Sequence, residues 1–211
     1  MSEKADMQLL SAGIEQLPIA VDEPTQQRLM RFLALVMKWN KAYNLTAVRD
    51  IQSMIRLHLL DSLSIAPYVH GDRLLDVGTG AGFPGIPLAI LMPEKQFVLL
   101  DGNGKKTRFV TQAKIELGLD NVEVRHARIE NYQDALGFSS ITCRAFSPLD
   151  NILQWMAHLL SPDTHLLAMK GQSDFELYNP SEQYTLETIR LQVPFVEAER
   201  HLVKITATEA I

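Results

Sequence analysis

Residues 74–85 read Leu-Leu-Asp-Val-Gly-Thr-Gly-Ala-Gly-Phe-Pro-Gly, and the fold is decided here. Arg73 to Val77 is a short apolar run holding one acid, the pattern of a strand buried in a parallel sheet. Gly78, Gly80 and Gly82 then remove three Cβ atoms within five residues, so the chain can turn sharply and come close to a ligand. Pro84 suits the first turn of a helix, where its missing N–H costs nothing. That helix continues through Ile86, Leu88, Ala89 and Leu91. A glycine turn at the carboxyl end of a strand is where open α/β sheets bind ligands.

Two frames fit these glycines. Gly80, Gly82 and Gly85 spell G-x-G-x-x-G, the dinucleotide fingerprint. Gly78, Gly80 and Gly82 spell G-x-G-x-G, with Asp76 two residues ahead. An acid at the strand end repels a pyrophosphate. It suits a cofactor with an ammonium and a sulfonium, so the second frame and S-adenosyl-L-methionine are preferred, with Asp76 facing the cofactor. The next apolar run, Gln96 to Leu100, ends in Asp101, placed to accept hydrogen bonds from ribose hydroxyls. That spacing suits either nucleotide cofactor.

From residue 72 on, strand and helix patterns alternate. Strands are expected at 73–77, 96–100, 122–125, 139–143 and 164–169, and helices at 84–92, 104–118 and 148–159. Alternation of this kind implies an α/β fold, a doubly wound, mostly parallel sheet with helices on both faces. The tail, 188–193 and 200–206, reads as a hairpin around Pro194 at one sheet edge. Residues 1–70 read as a helical N-terminal extension packed on a domain spanning 71–211. Leu29, Phe32, Leu33, Val36, Trp39 and Tyr43 recur at three- and four-residue steps. Asp50 is placed to cap the following helix.

The 211 residues are 46% apolar, enough for a full core. The longest apolar runs are too short to cross a bilayer, and the first residues carry no secretory signal. Cys143 is the only cysteine, which excludes an internal disulfide and a cysteine metal cluster. A cytoplasmic location, no membrane, no metal and a monomer are expected. Asn44-Leu45-Thr46 is then a loop or helix end rather than a glycosylation site. A net charge of −5 argues against loose binding to nucleic acid. Local clusters (Lys38, Lys41, Arg49 and Arg56; Lys105, Lys106 and Arg108; Arg125, His126 and Arg128; Arg200, His201 and Lys204) allow a basic rim on an acidic protein.

Three more strand ends should face the crevice with Asp76 and Asp101. Ile129 and Glu130 are placed for an adenine ring, by packing and by a polar edge. Arg144 ends a buried strand and would pair with the cofactor carboxylate, a base edge, or Glu130 or Asp101. Lys170 stands similarly after the fifth strand. Phe146 would stack on a base or join the core. The segment after the fourth strand, Arg144-Ala145-Phe146-Ser147, lacks the polar cradle used to methylate exocyclic amines. Cys143 reads as a small buried residue, which removes the thiolate needed to methylate a pyrimidine carbon. A ring nitrogen with a free lone pair needs neither base nor nucleophile, only alignment with the sulfonium methyl. Arg144 and Lys170 are therefore the candidate catalytic residues, acting by position and charge.

Asp76 to Gly85, with Lys38-Trp39-Asn40-Lys41-Ala42-Tyr43-Asn44-Leu45-Thr46, Arg56-Leu57-His58-Leu59-Leu60-Asp61-Ser62, Arg144-Ala145 and Lys170-Gly171, resembles the bacterial guanine-N(7) methyltransferases of small-subunit ribosomal RNA. The resemblance runs from about residue 23 to 206. It implies a class I S-adenosylmethionine-dependent methyltransferase, Rossmann-like with a helical N-terminal extension. It implies methyl transfer to N7 of guanine 527 in 16S rRNA, within the 30S subunit. Residues matching the family's cofactor contacts are Gly78, Phe83, Ile129, Glu130 and Arg144; Asp76, Gly80 and Asp101 complete the expected cofactor set. After Asp101 the chain reads Gly-Asn-Gly, where relatives often carry a serine. Asn44, Arg56 and His58 sit in family motifs, and an RNA-side role or mutual satisfaction of helix ends both fit them.

Overall fold

Strand and helix alternate after residue 72 as the apolar pattern predicts. A computed structural model describes residues 3–144, 148–171 and 183–208. Five strands are parallel: β1 (Arg73–Val77), β2 (Gln96–Asp101), β3 (Val122–His126), β4 (Ser140–Arg144) and β5 (His165–Lys170). Two longer strands, β6 (Tyr184–Leu191) and β7 (Arg200–Ala207), pair antiparallel, and β7 pairs antiparallel to β5. The sheet order is β3-β2-β1-β4-β5-β7-β6, so the order reverses between β1 and β4. Ligands of open α/β sheets bind at such a reversal.

The tail hairpin is present, but β6 begins four residues before the expected 188. Its residues alternate between half-buried and exposed, with Glu187 and Arg190 on the edge, and this hides the strand from an apolar-run reading.

The helices α5 (Gly85–Leu91), α6 (Gly104–Leu117) and α7 (Leu149–Met156) follow β1, β2 and β4. Before the sheet come α1 (Glu3–Ile14), α2 (Glu23–Tyr43), α3 (Ile51–Met54) and α4 (Asp61–Leu63). Asp22 caps α2 by accepting from Thr25 N at 2.9 Å, and Asp50 caps α3 by accepting from Ser53 N at 2.8 Å. Asn44 ends α2 in the left-handed region at φ 50°, so the sequon asparagine is a helix end. Between α3 and α4, residues Ile55–Leu60 form a π-helix, a widened turn often found at functional sites.

Successive residues of β1 point to opposite faces of the sheet. Leu74 joins a core with α1, α2, α5 and α6, and Leu75 and Val77 join the core built on α7. Phe32 on α2 packs against Phe83 (ring centroids 5.0 Å) and Phe109 on α6 (6.5 Å). The N-terminal helices therefore share one core with the glycine turn, which brings their π-helix to the carboxyl edge of the sheet.

Candidate active site

The turn after β1 holds three left-handed glycines, Gly78, Gly80 and Gly82, at φ 68°, 60° and 85°. Gly78 N and Thr79 N donate to Leu100 O at 2.8 and 3.0 Å, which pins the turn to β2. Gly80 N donates to Asp101 Oδ2 at 2.9 Å. Gly85 serves packing: a Cβ there would lie 1.8 Å from Leu99 Cδ2 and 2.7 Å from Asp76 Oδ2.

Asp76 corrects one expectation. It is fully buried and does not line the cavity; its Oδ2 accepts from Gly85 N at 3.0 Å and its Oδ1 from Thr142 Oγ1 at 3.2 Å. Burial pushes its carboxyl up to about 6, against hydrogen bonds from Thr79, Gly85 and Thr142 and the charge of Arg144. The acid thus occupies a free N–H at the start of α5, where a pyrophosphate would otherwise sit. The frame beginning at Gly78 stands, but Asp76 braces the turn from behind and does not face the cofactor.

A cavity of about 1130 Å³ opens over the carboxyl ends of the strands. Gly78, Gly80, Phe83, Asp101, Ile129, Glu130, Arg144 and Lys170 all line it, as expected of them. Of the basic clusters, Lys106, Arg128, Arg200 and His201 also reach it. At one end lie the turn, Asp101 and the short 3₁₀ turn Ile129–Asn131, with Ile129 buried and Glu130 exposed. Asp101 keeps its carboxylate fixed through Gly80 N and Asn103 N (2.8 Å). Gly102 lies under Arg128: a Cβ there would meet Arg128 Cδ at 2.9 Å. These residues fit S-adenosylmethionine. A Cβ on Gly80 would meet nothing closer than 3.8 Å, so the turn leaves open space above its backbone, beside a fixed carboxylate and an apolar wall.

The other end is cationic. Arg144 lies over the Phe83 ring at 5.4 Å, and its Nη1 donates to Asp61 Oδ2 and to Leu57 O and approaches His58 Nδ1, each at 3.3 Å. Its carboxylate partner is therefore Asp61, in the N-terminal layer, and neither Glu130 nor Asp101. Asp61 also meets Arg200 Nε at 3.3 Å through Oδ1. Burial holds the Asp61 carboxyl above its ordinary value, and the two arginines offset only part of that rise. His58 Nε2 lies 2.8 Å from Thr46 Oγ1 and its ring 4.8 Å from Phe83. Nδ1 also lies 3.0 Å from Leu57 O, closer than Arg144, so the ring proton is assigned to Nδ1, donating to that carbonyl, and Nε2 accepts from the Thr46 hydroxyl. Burial, then the charge of Arg144, lowers His58 to about 4. Burial lowers Lys170 and pushes the Cys143 thiol up to about 12, so no thiolate forms there at neutral pH.

Asn44 and Arg56 do not line the cavity. Asn44 Oδ1 accepts from Arg49 Nη2 at 3.2 Å. Ala145, Phe146, Ser147 and Gln172 lie outside the described residues. Sequence reasoning missed Thr46, Leu57 and the role of Arg200. Arg200 opens β7, and an antiparallel strand starts where its parallel neighbours end. That topology brings a residue known only from a basic cluster into the site. The pairing of Lys170 with His201 marks the register.

Left-handed glycines after β1, an acid ending β2 and a crevice at the strand reversal define a class I S-adenosylmethionine-dependent methyltransferase. A solved putative O-methyltransferase from Klebsiella pneumoniae shares the fold at TM-score 0.60 and 18% identity, over 97% of this chain and 96% of that one. A SAM-dependent methyltransferase from Aquifex aeolicus does so at TM-score 0.53 and 20% identity, over 74% and 93%. The chain itself belongs to the rRNA small subunit methyltransferase G family, whose model matches residues 25–203. It is 51% identical over 203 residues to ribosomal RNA small subunit methyltransferase G of Stutzerimonas stutzeri, covering 94% of each chain.

Proposed function

We propose that this chain transfers the methyl group of S-adenosylmethionine to N7 of guanine 527 in 16S rRNA, on the 30S particle. The observation that carries this reading is the end of the cavity at Phe83. The imidazole packed there, His58, is held near 4, and the carboxylate beside it, Asp61, is committed to two arginines. His58 is too weak a base at neutral pH, and both Asp61 oxygens face arginines rather than the substrate. The guanine N7 lone pair needs none. It attacks the sulfonium methyl in line, the carbon–sulfur bond breaks with its electrons left on sulfur, and the positive charge passes from sulfur to the base. No proton moves, so the site has to align the two partners and exclude water.

Gly78, Gly80, Phe83, Asp101, Ile129, Glu130 and Arg144 hold the cofactor; Arg144 and Lys170 frame the acceptor. The helical segment 1–70 caps the domain 71–211. The acidic net charge supports a preference for the protein-bearing particle over bare RNA, because few surplus cations are available for non-specific phosphate contacts. A monomer acting in the cytoplasm suits this role; no described helix is long and apolar enough to cross a membrane. The test is incubation with methyl-labelled cofactor and 30S particles from cells lacking the modification. Label expected at guanine 527, mapped by reduction and chain scission at 7-methylguanine, supports the reading; label absent from 16S rRNA rejects it.

A further inference from the structure

We propose that Arg200 receives a backbone phosphate of the RNA beside the target base, and that Asp61 is the positioning residue that holds Arg200 there. The proposal rests on the RNA methyltransferase reading above. One buried carboxylate serves two guanidiniums, Asp61 Oδ2 toward Arg144 Nη1 and Oδ1 toward Arg200 Nε, each at 3.3 Å. The Arg200 contact falls short of hydrogen-bond geometry at Oδ1, so charge dominates it. Arg200 Nη1 donates to Glu199 O at 3.0 Å, and Nη2 has no hydrogen bond among the described residues. The side chain is 25% exposed and lines the cavity. A guanidinium gripped at Nε turns its outer edge away from the grip, the edge that pairs with an anion.

Charge balance points the same way. Arg144 and Arg200 against Asp61 leave one surplus positive charge, and Lys170, which also lines the cavity, pairs in register with His201 next to Arg200. The cofactor brings one anionic group, its carboxylate. Arg144, stacked on Phe83 of the glycine turn, is the arginine placed for that group. Arg200 enters from β7, on the far side of β5 from β4, and is left for an anion of the acceptor. In RNA that anion is a phosphodiester.

The test compares the wild type with Arg200→Ala, Arg200→Lys, Asp61→Asn and Asp61→Glu on 30S particles across a salt series. Calorimetry with S-adenosylhomocysteine runs alongside. For Arg200→Ala, KM for the particle should rise about tenfold or more, as expected for a lost charge-assisted hydrogen bond. The slope of log(kcat/KM) against log salt should flatten by about 0.7, the share of one phosphate. Affinity for S-adenosylhomocysteine should stay within about twofold. Arg200→Lys should keep the slope and raise KM less, because a point charge replaces a fork. Asp61→Asn should raise KM, and Asp61→Glu should recover part of it. An unchanged salt slope in a folded Arg200→Ala overturns the proposal, and so does a loss of S-adenosylhomocysteine affinity, which would give Arg200 to the cofactor. If Arg200→Ala does not fold, an unchanged KM in Arg200→Lys overturns it instead. A wild type that leaves 16S rRNA unlabelled rejects the underlying reading, a result distinct from all of these.

Discussion

Asp61 Oδ2 accepts from Arg144 Nη1 at 3.3 Å, across 83 residues of sequence, and so ties the end of β4 to the N-terminal helical layer. The carboxylate is 6% exposed, whereas its two arginines are 21% and 25% exposed. Loss of a charge from a buried pair is costly because the partner stays desolvated. Here the partners keep some water, so Asp61→Asn should lose roughly 1–3 kcal/mol, below the full range for buried pairs. Urea unfolding of the two proteins at pH 7 checks this; equal midpoints and slopes would show that the pair contributes nothing net.

Two glycines of one turn should fail in different ways. Gly85→Ala drives a Cβ into Leu99 and Asp76, and overpacking of this kind costs about 1–3 kcal/mol or more. Gly80→Ala meets open space, but its φ of 60° strains any L side chain by about 1 kcal/mol. Its methyl group also points into the room above the turn. Gly85→Ala should therefore lower the unfolding temperature most. Gly80→Ala should weaken S-adenosylhomocysteine binding most. Thermal unfolding and calorimetry on both variants measure the split, and a reversed order would show that the turn is assigned backwards.

The sheet was legible because its signals are local. β1 and β2 are short apolar runs between turn residues, and each glycine of the turn announces its backbone need on its own. The long-range pairs were not legible. Glu130 and Asp101 are nearer to Arg144 along the chain, yet its partner is Asp61, carried to the sheet by the packing of Phe32 against Phe83. Asp76 sits at the strand end that the sequence marks but faces the other way, since the side an acid faces depends on how closely Gly85 lets α5 approach β2. Arg200 joins the site only because β7 runs between β5 and β6. Helix α1 falls among residues that match no motif; Leu10 and Ile14 bury its inner face, and Gly13 lets Leu60 of the π-helix pack against it.

Asp76 and His58 should oppose each other as pH falls. The folded Asp76 carboxyl, near 6, lies above its unfolded value of 3.8, so it binds a proton more tightly when folded. Its ionised form weakens the fold at pH 7 by about 3 kcal/mol, and that penalty fades as pH falls from about 7 to 4. His58 runs the other way: folded near 4 against 6.5 unfolded, it costs stability as pH falls through the same window. These two contributions should therefore largely cancel between about pH 7 and 4.5. Asp76→Asn, which removes the Asp76 side of this balance, should lose stability more steeply on acidification than the wild type. Urea midpoints at several pH values decide this, and parallel curves for the two proteins would refute the linkage.

The methyl transfer should show no ionisation in the neutral range. His58 is the imidazole that packs on Phe83, and it stays neutral down to about 4. Its Nδ1–H is held by Leu57 O and its Nε2 by the Thr46 hydroxyl, so neither nitrogen is open to take a proton from substrate. The guanine N7 carries no proton in the neutral base. Single-turnover methylation of 30S particles should therefore be flat from about pH 6 to 8.5, and the acidic limb should appear only toward about 4. His58→Gln keeps one donor and one acceptor. It should retain the flat profile while slowing transfer, because no imidazole ring then packs on Phe83 beside Arg144. A rate that climbs with a midpoint near about 6.5 in the wild type, the ordinary histidine value, and loses that dependence in His58→Gln, would make His58 a general base and replace alignment by proton transfer as the mechanism.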